Sequence, residues 1–204
     1  MEQLASLGLL MGGSWASGIN LYLTVAALGI LHRTETLTLP GQLDVFGHPL
    51  VIGVAIVMYC IEFVADKVPV VDSTWDAVHT FIRPAGGLLL GYLGGADFGP
   101  QWQVAAMLIT GAIATDAHLT KAAARAAINT SPEPVSNSIA SVTEDVSVVG
   151  VMYLIVTHPV VAVILVMLFI FFSIWFLTKM FHLLKKVFAR KDQCLTKNQE
   201  RGVQ

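Results

Sequence analysis

EFVADKVPVVDSTWDAVHTFIRP, residues 62–84, gathers four carboxylates, a lysine, a histidine and an arginine into 23 positions. The chain on both sides is apolar enough to lie in a bilayer. Ionisable groups at membrane depth are costly, so where they occur they mark a site. Read as a helix, residues 72–83 place Asp72, Asp76, His79 and Arg83 at i, i+4, i+7 and i+11, on one face. Glu62 and Asp66 stand one helical turn apart just before it. Two carboxylates at that spacing can bind a cation or share a proton. Equally, they can pair with Lys67 and Arg83 in a structural charge network. His79 titrates near neutral pH if solvated, but a lone histidine reads first as an interfacial hydrogen-bonding residue.

The composition excludes a soluble domain. Charged residues make up 13% of the 204, against about 25% in soluble proteins, and mean hydropathy is +0.70. The start, MEQLASLGLL, has no basic segment, so the first apolar run reads as a retained span rather than a cleaved signal. Cys60 and Cys194 lack any zinc or disulfide spacing and read as free thiols. Residues 179–204 carry seven Lys/Arg and two acids, whereas residues 1–178 carry five and twelve. A basic segment after an apolar run marks a cytoplasmic C-terminus, and it can also touch anionic headgroups.

Working outward, residues 3–31 are uncharged and long for one straight span. A tilt, kink or break is expected near residues 12–18, where glycines cluster. Residues 32–48 read as a loop turning at Pro40-Gly41, and a second span runs from 49 to 66. Asp72 or Ser73 is the expected N-cap of the charged helix, and Pro84 is expected to end or kink it. The glycine-rich segment AGGLLLGYLGGA, 85–96, suits close packing, and another helix runs from 101 to about 128. NTSPEP, 129–134, forces a break; a half-polar helix follows from about 137, and residues 160–178 give the most secure span.

The expected fold is an all-α membrane protein with about six transmembrane helices and broken or re-entrant segments at 69–84 and 129–136. One transmembrane domain covers 1–178, divisible at 98/99, and 179–204 forms a basic tail. With both termini cytoplasmic, eleven of the twelve basic residues lie inside, only Arg33 outside. A 3+3 inverted repeat is suggested by the ungapped match of residues 13–30 to 111–128 and of VMYCI (57–61) to VMYLI (151–155). That match aligns Asn20 with His118.

His118, Lys121 and Arg125 form a basic stripe suited to phosphate or carboxylate, or to pairing with Asp72, Asp76, Glu144 and Asp145. Asn137 and Glu144 share a face of their helix, and Ser131 lies in the proline-rich break. Broken helices expose backbone dipoles that transporters use to hold substrate. The candidate substrate-binding set is therefore Asn20, Glu62, Asp66, Asp72, Asp76, His79, Arg83, His118, Lys121, Arg125, Ser131, Asn137, Glu144 and Asp145. No catalytic residue or cofactor is expected, and a metal is undetermined. Hydrolase, zinc-protease and nucleotide-binding motifs are missing from the sequence, and a strong nucleic-acid role is disfavoured by the single short basic cluster.

SGINLY (17–22), FVADKVPVVDSTWDAVHTFIRP (63–84), NTSPEPVSN (129–137) and TED (143–145) resemble the bacterial integral-membrane family called domain of unknown function 4126, over about residues 12–160. The resemblance implies the membrane class and the site segments, and brings no activity, substrate or catalytic residue. Two function classes fit: a small-solute or ion transporter of the inner membrane, and a non-transporting helper or organiser whose charges bind a protein partner or lipid headgroups. The lipid bilayer is the expected partner in both, and association with further copies of the chain is left open.

Overall fold

The structure, a computed structural model, describes residues 2–129 and 134–201. Seven α-helices carry the described chain, with no strand among these residues: α1 Glu2–Ile19, α2 Leu21–Arg33, α3 Pro49–Ala65, α4 Pro69–Gly94, α5 Pro100–Ile128, α6 Pro134–Thr157 and α7 Pro159–Arg201. Proline occupies the first turn of α3, α4 and α5, where its missing N–H costs nothing.

The first apolar run is a helical hairpin rather than one span. Asn20 leaves the helical region (φ −145°, ψ 97°), and its side-chain oxygen accepts the Leu23 N–H to cap α2. A methyl group placed on Gly13 would sit 3.9 Å from Leu28 Cδ1. In a straight helix those positions would be about 22 Å apart, so α2 folds back along α1. The break thus falls at Asn20 and not within residues 12–18. Gly18 instead lets α1 approach α5, where a methyl group would strike the Ala114 carbonyl and Ala117.

From α3 onward successive helices alternate in direction. The α4–α5 pair is joined by a stripe of small residues. Methyl groups added at Gly87, Gly91 and Gly95 would meet Ala114, Thr110 and Ala106 respectively. This contact also explains why Pro84 does not end α4. A proline inside a helix costs about 3 kcal/mol, but α4 is pinned to α5 on both sides of it, by Thr80 to His118 below and Gly87 to Ala114 above. The charged helix and the glycine-rich segment are therefore one helix, capped by Val68, with Asp72 and Ser73 inside it.

Helix α1 runs parallel to α7. Gly8 abuts Pro159, Met11 packs with Val163 and Val166, and the Trp15 and Phe169 rings meet edge-on at 5.5 Å. The start of α1 and the end of α7 consequently lie at opposite ends of the bundle. Helix α7 continues from its apolar stretch into the basic segment as far as Arg201. The proposed repeat has no backbone counterpart, because residues 13–30 reverse at Asn20 while 111–128 stay in one helix. Residues 130–133, with the expected break and Ser131, lie outside the described residues.

An apolar core of Leu9, Leu10, Leu28, Leu43, Leu90 and Ile155 fills the end of the bundle where α1 begins. Among the described residues, two helical segments are long and apolar enough to cross a membrane, Val135–Thr157 and Pro159–Leu183. The most apolar 18-residue window of the second has mean hydropathy 3.0, yet only 17% of it is buried. Such an exposed apolar helix suits lipid rather than water.

Candidate functional site

The charged residues converge at the other end of the bundle, where the tip of the α1–α2 hairpin meets α3, α4, α5 and α6. Because α1 stops at Ile19, its last carbonyls have no helical partners. Two cations supply them: Arg83 donates to Gly18 O at 3.3 Å and Lys121 to Ile19 O at 3.1 Å. Positive charge at a helix C-terminus is stabilised by the macrodipole. At the N-terminus of α2 the polarity is opposite, and a carboxylate lies there. Asn20 donates from Nδ2 to Asp145 Oδ1 at 3.0 Å, and Tyr59 donates to Asp145 Oδ2 at 3.0 Å.

Below the tip, three cations are matched by five carboxylates. Arg83 meets Glu62 at 2.6 Å and Asp76 at 3.5 Å. Lys121 reaches Glu144 at 3.1 Å, Asp66 at 3.5 Å and Glu62 at 3.7 Å. Arg125 binds Glu144 through two parallel contacts of 2.8 Å, the bidentate geometry peculiar to arginine. It also touches Asp66 at 3.4 Å, Asp72 at 3.9 Å and the Asn137 carbonyl at 3.1 Å. All of these side chains are buried except Glu144, which is 17% exposed. Asp72 is held further by Asn129 Nδ2 at 3.0 Å.

Hydrogen counting fixes His118. Arg83 Nη1 lies 3.0 Å from His118 Nδ1, and a guanidinium only donates, so Nδ1 accepts. The proton of His118 is then on Nε2 and is donated to Thr80 Oγ1 at 3.0 Å. His79 donates from Nδ1 to the Trp75 carbonyl at 2.8 Å and shares a hydrogen bond of 3.1 Å between Nε2 and the Tyr22 hydroxyl, with Trp75 stacked on its ring. His118 is thus a neutral acceptor–donor link rather than a charge.

The geometry brings together thirteen of the fourteen candidate residues, Ser131 being outside the described chain. Asp145 and Asn20 sit at the hairpin tip, His79 at the edge beside Tyr22, and the remainder within the ion-pair cluster. Lys67 departs from expectation. Its Nζ lies 2.9 Å from the Phe63 ring centroid and donates to Phe63 O, instead of pairing with Glu62 or Asp66. Desolvation there pushes the Lys67 ammonium below the usual lysine value. Tyr22, Tyr59, Thr80 and Asn129 take part without having been anticipated. Tyr59 was the legible one, since it precedes Glu62 by three residues and so shares its helix face.

If every carboxyl is ionised, five carboxylates against three cations leave two negative charges in excess. Several buried polar atoms also lack a hydrogen-bond partner: Glu62 Oε2, Asp66 Oδ1, Asp76 Oδ2, Asn137 Nδ2 and Ser141 Oγ. Among the described residues no three His, Cys, Asp or Glu side chains are grouped to hold a metal ion.

The family model for a domain of unknown function (DUF4126) matches residues 7–179, which include the hairpin, the cluster and most of α7 before its basic extension. The chain belongs to this family. Every described residue of the cluster therefore lies inside the family domain, as does most of the apolar stretch of α7 that faces outward. No curated protein and no solved structure matches the chain.

Proposed function

We propose that this family member is a multi-pass protein of the bacterial inner membrane that moves an ion or small solute through the charged cluster. In this reading α3 to α7 cross the bilayer, the α1–α2 hairpin is re-entrant, and the basic end of α7 is cytoplasmic. Of the basic residues only Arg33 then lies on the outer side, which keeps the positive-inside balance without placing both termini inside. The site sits on the cytoplasmic half, and no bond-making chemistry is assigned to it.

One observation carries the reading: the helix break at Asn20 is buried inside the bundle, with its carbonyl end facing Arg83 and Lys121 and its N–H end facing Asp145. A broken helix at membrane depth is tolerated where it lines a polar site, and transporters place substrates at such breaks. The two excess negative charges favour a cation, or protons taken up with a neutral solute. The test is uptake and current by the purified chain in liposomes, across a panel of inorganic cations, amines and carboxylates under an imposed pH gradient. Flux for one solute above empty liposomes supports transport. No flux across the panel hands the assignment to the second reading.

That second reading, a non-transporting helper or organiser, is favoured by one feature. The cluster is buried apart from the partly exposed Glu144, and three cavities, at Gln3–Phe98, at Leu7–Trp102 and along Val135–Thr143, are lined by none of its residues.

A further inference from the structure

Asp116 takes no part in the cluster. It lies on α5 in line with the exposed Ala112 and Leu119, on the flank that faces α7, and is itself half-buried. Its Oδ2 is 2.6 Å from Ser173 Oγ, a fully buried hydroxyl on α7. Ser173 Oγ is also 2.9 Å from the Ile170 carbonyl oxygen. Ser173 stands fourteen residues after the start of the membrane-length segment Pro159–Leu183 and ten before its end. At 1.5 Å per residue this puts the Asp116–Ser173 contact near the middle of about 30 Å of hydrocarbon.

A hydroxyl carries one proton. If Asp116 were ionised, both neighbours of Ser173 Oγ would be acceptors, and that proton would be shared or one contact would join two lone pairs. If Asp116 is protonated, its Oδ2–H donates to Ser173 Oγ and the serine hydrogen goes to Ile170 O. Both contacts are then hydrogen bonds.

The surrounding charges lead to the same state. None of the ion pairs within 4.0 Å involves Asp116. On α7 the nearest titratable groups are Lys179, His182 and Lys185, further along the helix, and residues 3–19 of α1 have none. The titratable residues of α4 (Asp72, Asp76, His79, Arg83), of α6 (Glu144, Asp145) and of α5 itself (His118, Lys121, Arg125) face the cluster, where their partners are. An ionised carboxylate with no counter-ion at mid-bilayer is costly, and neutralisation is the usual outcome.

We propose that Asp116 is a protonated, exchangeable carboxylic acid at the lipid-facing seam of α5 and α7, a proton-binding site separate from the ion-pair cluster. On release the proton passes to water or a base, and the Ser173 hydrogen turns from Ile170 O to the new carboxylate. Rebinding reverses both movements. The inference rests on α5 and α7 crossing the bilayer and not on the cluster carrying a solute.

The test uses the full chain in liposomes treated with dicyclohexylcarbodiimide, a lipid-soluble reagent that adds to protonated carboxyls, followed by peptide mass spectrometry. An adduct on Asp116 is expected, forming more slowly as pH rises, lost in Asp116→Asn and kept in Asp116→Glu. The ion-paired carboxylates should stay unmodified. Infrared spectra of the parent should show a protonated-carboxyl carbonyl band missing from Asp116→Asn. An unmodified Asp116 from acidic to neutral pH, or one modified only by a water-soluble carbodiimide, would overturn the proposal, provided the chain resists alkaline extraction. A chain washed out by alkali would instead refute the membrane reading.

Discussion

Arg83 Nη2 lies 2.6 Å from Glu62 Oε1, with both side chains shielded completely from the surface. This pair ties the end of α3 to the middle of α4 at the level of the hairpin tip. Desolvating two such charges costs several kcal/mol, and their attraction repays it only while both are present. Removing one partner therefore hurts more than removing both. Arg83→Met should destabilise the detergent-solubilised chain by about 3–5 kcal/mol, and Arg83→Met with Glu62→Gln should recover part of that loss. Thermal unfolding of the four members of the cycle measures it; additive losses would show that the pair is not coupled.

The hairpin tip gives a smaller effect. Asn20→Ala removes the α2 cap and the Asp145 contact and should cost about 1–2 kcal/mol, the usual range for a lost N-cap plus a charged hydrogen bond. Unfolding midpoints that match the parent would mean that the break does not depend on this side chain.

Along the α4–α5 seam, Gly91→Val should prevent folding or lower the midpoint sharply, because an added Cβ would lie 2.6 Å from the Ala106 carbonyl oxygen. Gly53→Ala is the control. Nothing lies within 4 Å of a Cβ there, and alanine gains about 1 kcal/mol of helix propensity. Gly53→Ala should therefore be neutral or mildly stabilising.

Parallel α1 and α7 predict that the chain's two ends are on opposite faces of the membrane. Gln3→Cys, in a Cys60→Ser, Cys194→Ser background, should react with an impermeant thiol reagent from outside intact cells. Cys194, kept alone, should react only after permeabilisation. Labelling of both from the same side would contradict the packing of α1 on α7.

The sequence made the helices and the charged residues legible because composition and spacing carry them directly. The apolar runs became α3, α5 and α7, and the i, i+4, i+7, i+11 pattern in α4 did bury Asp72, Asp76, His79 and Arg83 together. Where the reading failed, local signals were overruled by packing. Pro84 looked like a helix end, yet the glycine stripe beyond it holds α4 against α5 and the helix continues through the proline. Gly12, Gly13 and Gly18 looked like a break, yet they serve close approach, and a single asparagine two residues later reverses the chain. Reversal within an apolar run leaves no charge or loop to mark it. Hence the first two helices read as one span. The Asp116–Ser173 contact was not legible either, since the two residues are 57 positions apart and no spacing pattern links them.

The central claim is that the cluster moves a solute, and its most direct test separates flux from stability. Asp76→Asn and Glu144→Gln each remove one carboxylate, the first beside Arg83 and the second from Lys121 and Arg125. Each purified variant is compared with the parent for thermal unfolding and for solute-driven current in liposomes. The account predicts that both variants fold and insert, Glu144→Gln with the larger loss of stability, and that flux falls at least tenfold in each. Parent-level flux in both variants would contradict it.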